Sequence, residues 1–305
     1  MVSSSSCHLS ACRLTWHYGR MTQQGGSPTV RRRRLGLQLR AHRERCNLTI
    51  EQVAASLETG ARSVLRWELA QANIRTSDLR ALLDLYAVSA DQRTELETLA
   101  REGRQPGWWT PYTSAVRPTF ATFLGLEAEA ASHMEYSAMV IPGLLQTPRY
   151  MRAVMTAAIP RLGDDTIEKR IEVRQKRQAE MLGRAYPTHF VIDEACLHRS
   201  IGDHEVMAEQ LAHIMESAKS RLITIQVVPF AAGAHASTLG SFSVLTFVDM
   251  PPVACVEMLG GDLYADGPDS ALYTEHFVSL REAALPQPLA MSLVDKIRKE
   301  VHHAL

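Results

Sequence analysis

The sequence predicts an all-α N-terminal domain of five helices followed by an α+β domain with a small mixed sheet. Apolar residues recur at helical period from Leu35 to about Gly103. From Thr188 onward the pattern changes to short runs rich in β-branched residues. Between the halves, Gly107-Trp108-Trp109-Thr110-Pro111 breaks the period. The expected division is a disordered tail at 1–30, a helical domain at 31–104, a linker at 105–118 and the α+β domain at 119–303.

Residues 1–30 hold Ser, Gly and Gln without helical or strand period, the composition of a chain that cannot bury enough apolar surface to fold. Met21 reads as a natural start, with Met1 as the alternative. Arg31, Arg32, Arg33 and Arg34 form a basic run, read as an arm for phosphates or a minor groove. In the first helix Leu35, Leu39, His42 and Cys46 share a stripe, and Asn47 ends it because Asn tolerates the left-handed conformation. Thr49 opens the second helix, where Gln52 completes a capping box and Ile50, Val53, Ala54 and Leu57 make the buried stripe.

Thr59 and Gly60 are expected to form a tight turn, with Gly60 supplying a positive φ. The third helix runs from about Ala61 to Leu69, with Val64 and Trp67 inward and Leu65 flanking them. Ala61, Arg62, Ser63 and Arg66 face out. Two helices so joined are a helix-turn-helix, which lays its second helix in a DNA major groove. The arginines suit that role because a guanidinium fork matches the O6 and N7 acceptors of guanine. Arg43 and Glu68 carry opposite charges and are read as a structural salt bridge. Ser77 is expected to cap a fourth helix through Leu79, Leu82, Leu83 and Tyr86, and Ser89 or Asp91 a fifth through Leu96 and Leu99.

After the linker, whose tryptophans are too apolar for a free tether, Phe120 to Met134 reads as helix. A turn at Val140–Pro148 leads to a helix from Arg149 to about Ala158. A charged helix from Asp165 to Leu182 is expected to be a solvated face. Strands are expected at Thr188–Asp193, Leu222–Pro229, Phe242–Val248 and Val253–Leu259, with a short fifth at Leu263 and Tyr264. Helices are expected at 205–219, 269–284 and 289–302.

Residues 1–104 hold 16 Arg and no Lys against 10 acidic groups, a net of +6, and the remainder carries −6. A basic first part fits phosphate, and an acidic second part fits protein or small molecules. The five cysteines, Cys7, Cys12, Cys46, Cys196 and Cys255, form no CxxC pair, so neither a zinc site nor a disulfide framework is indicated. Cys46 and Cys255 lie among apolar neighbours and are expected in the core. No metal, cofactor or catalytic residue is expected: Asp193, Glu194, Cys196 and His198 after a strand read as loop and capping groups, and Ser200 and Ser243 lack a nucleophile elbow. No apolar run of membrane-spanning length occurs, and a cytoplasmic, nucleoid-associated protein without membrane contact is expected.

LRAHRERCNLTIEQVA followed by SVLRWE resembles the Cro/repressor-like (XRE-type) helix-turn-helix class. By that resemblance Gly60, Ala61, Arg62 and Arg66 match the DNA-facing positions, and Arg43 and Glu68 match a salt bridge common in the class. Thr49, Gly60, Ala61, Arg62, Ser63 and Arg66 form the candidate set for double-stranded DNA. The chain departs from the class at Ile50, where Gln is usual, at Gly60, where Ser or Thr is usual, and at Ala70, where Gly is usual. GWWTPY, VIPGLLQTPRYMRAV, FVIDEACLHRSIG and ITIQVVPFAAGAHAS resemble the second domain of actinobacterial antitoxin-like regulators (DUF5753-type), over about Gly107 to Val301. That resemblance implies a transcriptional regulator, often paired with a small acidic protein. A homodimer is expected, since one recognition helix reads few base pairs. The alternative is an antitoxin-like protein that mainly binds such a partner and uses DNA for autoregulation.

Overall fold

The computed structural model describes residues 28–303 except 159, 160, 185 and 239. The expectations for residues 1–27, a disordered tail and a start at Met21, lie outside the described residues. The N-terminal domain holds α1 (Pro28–Arg45), α2 (Ile50–Ser56), α3 (Ala61–Glu68), α4 (Thr76–Leu85) and α5 (Ala90–Glu102). Their apolar stripes meet in one core that includes Leu39, Val53, Val64, Trp67, Leu82 and Leu96. Thr49 caps α2 by accepting from the Gln52 N–H at 3.2 Å, and its own N–H donates to Gln52 Oε1 at 2.8 Å. The chain leaves α1, α3 and α4 through left-handed residues: Asn47 (φ 54°), Ala70 (57°) and Ala87 (49°).

Several local expectations are corrected. Arg75, not Ser77, holds the N-cap position of α4. Cys46 is exposed at the end of α1, its thiol 3.8 Å from the Tyr86 carbonyl, because the helix overruns the core there. The linker tryptophans are packed, in keeping with their apolar character: Trp109 is buried with Val116, Leu124 and Val173, and the Lys176 ammonium lies 4.9 Å from the Trp108 ring centroid.

The second domain runs α6 (Pro118–Glu127), β1 (Ser132–Ser137), α7 (Pro148–Thr156), α8 (Asp164–Arg184), β2 (Thr188–Asp193), α9 (Glu194–His198), α10 (His204–Ser217), β3 (Ile223–Val228), β4 (Phe242–Thr246), β5 (Val253–Val256), β6 (Leu263–Ala265), α11 (Pro268–Ala283) and α12 (Gln287–His303). The six-stranded mixed sheet has the order β3-β2-β1-β4-β5-β6. β1, β2 and β3 are parallel, and β4, β5 and β6 continue from β1 antiparallel. Phe190, Val191 and Ile192 are wholly buried, as a strand covered on both faces requires. One face packs on α10 and α12 through Leu211, Ile214, Val294 and Ile297, the other on α11 through Phe277 and Leu280.

β1 begins inside the stretch read as helix from Phe120 to Met134 and runs past its end, and it pairs on both sides within the sheet. Its sequence, SHMEYS, has no β-branched residue and alternates polar with apolar. His133 and Glu135 lie on one face, where the His133 ring packs edge-on against Phe123 and Phe190 with its nitrogens 3.9 Å from Glu127 and 3.5 Å from Glu135. The charged helix α8 is not simply a solvated face. Ile167, Ile171, Val173 and Met181 are buried, and Arg177 points inward to donate to both oxygens of Glu127 at 2.7 and 2.8 Å. A buried bidentate pair of this kind holds because each charge satisfies the other.

The two domains share α1. Val30, in its first turn, is wholly buried in a cluster with Phe123, Leu126, Phe247 and Val253 of the second domain, while Leu35 and Leu39 belong to the core of the first. The expected boundary between tail and domain, at residue 30, therefore falls inside a helix.

Candidate nucleic-acid interface

The helix expected to read DNA is α3. Val64 and Trp67 anchor it, and Glu68 ties it to α1. Arg43 Nε donates to Glu68 Oε1 at 2.7 Å, Nη2 to Oε2 at 3.0 Å, and Nη1 to the Leu48 carbonyl at 3.0 Å. Bonding to Glu68 holds the Arg43 guanidinium above its ordinary pKa. One side chain thus ties the end of α1 to the end of the loop before α2 and to the last turn of α3.

Anchored in this way, α3 presents Arg62 and Arg66 to solvent one turn apart. Neither side chain makes a hydrogen bond or ion pair among the described residues. Ala61 and Ser63 are half-buried, and Thr49 and Gly60 are exposed. Space around Gly60 is open. Gly60 does not take a positive φ: it is extended (φ −82°, ψ 140°) as the N-cap residue of α3, and Glu58 (φ 51°) makes the left-handed step instead. The turn begins earlier than expected because α2 ends at Ser56.

Leu65, expected to flank the core, is 41% exposed and lies three residues from Arg62 on the outer side. It adds an apolar surface of the kind that meets a thymine methyl. The signal for it was its i+3 relation to Arg62, masked by its apolar character.

The basic run does not form an arm. Arg31 to Arg34 lie in the first turns of α1, and the charges of Arg31, Arg33 and Arg34 are paired within the chain. Arg31 pairs with Glu102 at 2.6 Å, Arg33 with Asp266, and Arg34 with Asp249 at 3.3 Å and Glu129 at 3.7 Å. Arg32 is half-buried beside Gly103. Acidic groups of the second domain lie opposite this run, so it fastens the two domains together.

The second domain approaches α3 at its C-terminal end. A cavity of about 230 Å³ there is lined by Glu68, Leu69 and Ala70 on one side and Met250, Pro251 and Asp266 on the other. The N-terminal half of α3, the part that reaches base edges in this motif, stays clear.

An anchored helix with free arginines on its outer face, following a capped helix and a short turn, defines a helix-turn-helix DNA-binding regulator. The helix-turn-helix domain family matches residues 34–96. The family described as Domain of unknown function (DUF5753) matches residues 120–296, more than half of the chain, and the chain belongs to that family. No curated protein and no solved structure matches the chain. No described helix is long and apolar enough to cross a membrane.

Proposed function

We propose that this regulator is sequence-specific, acts on transcription as a homodimer, and uses its second domain to join the two copies and to sense an effector. The observation that carries the reading is the exposure of Arg62 and Arg66 on an anchored α3. Two such helices, about 34–36 Å apart, would read both halves of a palindrome. Such a role places the protein in the cytoplasm with the nucleoid.

The same reading makes the protein a binder and not an enzyme. Burial pushes the Cys196 and Cys255 thiols up to about 12, which leaves them without thiolate at neutral pH. The Asp193 carboxylate is occupied in capping α9 through the Ala195 N–H at 2.9 Å. A small acidic protein partner, the alternative role, would face a second domain that is itself net acidic, so charge does not favour it.

Selection of bound fragments from genomic DNA by the purified protein tests the proposal. Enrichment of a palindrome, with Arg66→Ala weakening that site far more than random DNA, supports it. Equal weakening of both would reduce Arg66 to a phosphate contact, and no enrichment defeats the reading. Sedimentation of the free protein decides between monomer and dimer.

A further inference from the structure

The second domain contains a cleft, separate from α3, that carries unmatched charge of both signs. Its main part, about 250 Å³, lies over the sheet where Glu135 of β1, Ser243 of β4 and Cys255 of β5 stand in one row. Phe120 and Phe123 of α6 form an apolar wall, and Arg174 of α8 lies opposite the glutamate. A side lobe of about 100 Å³ continues past Phe120, Arg174 and Glu257 to Arg117 and Arg170.

Some of these charges are already matched. Arg177 has Glu127, and Arg117 has Asp262 at 3.0 Å. Arg170 and Arg174, one turn apart on α8, are not. Arg170 donates to the Ala115 carbonyl at 2.7 Å and Arg174 to the Gln146 amide oxygen. Neither has a carboxylate within ion-pair distance among the described residues. Burial, reinforced by Arg177, brings the Arg174 guanidinium down to about 10; burial and Arg117 lower Arg170 as well.

On the other side, Glu135 accepts one bond, from the Ser137 hydroxyl at 3.3 Å, and lies 3.5 Å from Nε2 of His133. Burial raises its carboxyl to about 7. Arg174 feels both Glu135 and Glu257 through space without touching either. The cleft is the gap between them.

We propose that this cleft binds a small zwitterion of amino-acid size, with its carboxylate on Arg170 and Arg174, its ammonium toward Glu135 and Glu257, and its side chain against Phe120 and Phe123. A simple anion would leave Glu135 and Glu257 unmatched beside it, and a simple amine would meet two unpaired arginines. A phosphate ester, with its second negative charge, meets Glu257, which lines both lobes. The volume suits a molecule of this size.

The position of the cleft also suits the sensing role proposed above, which this inference deepens and on which its biological meaning rests. Phe123 belongs to the same cluster as Val30 of α1, and α1 runs on to Arg43, which holds α3 through Glu68. A ligand pressed against α6 therefore bears on the helix common to both domains.

The test is calorimetry on the full-length protein without DNA, titrating the common L-amino acids one at a time. We expect at least one to bind, and its decarboxylated amine and its des-amino acid each to bind at least about tenfold more weakly. Arg174→Met and Glu135→Gln should each cause a similar loss. Ser243→Met, which leaves both charges in place and fills the floor, should abolish binding; circular dichroism and melting curves show whether each variant is folded. Failure of every amino acid to bind, equal binding of the stripped analogues, or unchanged binding in folded Arg174→Met and Ser243→Met would overturn the proposal. Because no DNA is present, such a failure leaves the DNA-binding reading untouched, and loss of palindrome selection leaves the binding result untouched.

Discussion

Gly125 of α6 lies against Thr29 of α1 so closely that a methyl group on Gly125 would overlap the threonine hydroxyl. This is where the first turn of the helix-turn-helix domain is seated in the second domain. Gly125→Ala should force the two helices apart and cost about 1–3 kcal/mol, the usual penalty of overpacking. Urea unfolding measures it. A variant as stable as the parent would mean that α1 is not held tightly there. Because α1 also carries Leu35 and Leu39 of the first core, one cooperative transition is expected for the whole protein.

The Arg43–Glu68 pair is nearly buried, with side-chain exposures of 11% and 4%. Removing one partner leaves a buried charge uncompensated. Glu68→Ala is expected to cost roughly 3–5 kcal/mol, with Arg43→Ala of similar size. The double variant should cost well under the sum of the two, since the orphaned charge is gone. Additive costs in denaturant titrations would show that the two side chains act independently.

Glu135 and His133 make stability depend on pH in opposite senses. Burial raises Glu135 from 4.5 to about 7, so its protonated form supports the fold at low pH and that contribution is lost as pH rises through 7. Burial lowers His133 from 6.5 to about 4, so its neutral form supports the fold above 6.5 and that contribution is lost as pH falls through 4. Glu135→Gln removes only the first effect. The variant should exceed the parent by roughly 2 kcal/mol at about pH 8 and match it at about pH 4.5. A constant difference between the two conditions would contradict the assignment.

Ala70 follows α3 in a left-handed conformation, φ 57°, which costs a residue with a Cβ about 1–2 kcal/mol. Glycine removes that strain but loses more chain entropy on folding. Ala70→Gly should therefore stabilise by a net of roughly 0.5–1 kcal/mol, seen as a higher melting temperature. DNA affinity should not change, because Ala70 lies beyond the free half of α3. A lower melting temperature would show that the Ala70 methyl is used in the adjoining cavity.

Much of the helix-turn-helix was legible because its determinants are local. A capping residue and its partner three positions on, Thr49 and Gln52, need only each other. Val53, Ala54, Val64 and Trp67 recur at a period that only a helix aligns. The later strands were legible for the same reason: Ile223, Ile225 and Val227 alternate, and β-branched residues suit a pleated surface.

What sequence reasoning missed depends on residues far apart in the chain. β1 reads poorly as a strand because His133 and Glu135 are polar, and they are tolerated inside only because Glu127 and Arg177 come from other elements to meet that layer. The basic run Arg31–Arg34 reads as an arm until Glu102, Glu129, Asp249 and Asp266 are brought around it.

The chain alone therefore determined the third helix, its anchors and the side chains it exposes, since each rests on spacings within a few turns. Only the folded protein decided that α1 belongs to both domains, that a polar strand occupies the middle of the sheet, and that two arginines of α8 face a cleft without carboxylate partners. Charge and burial are properties of neighbourhoods, and these neighbourhoods are assembled from segments tens to hundreds of residues apart.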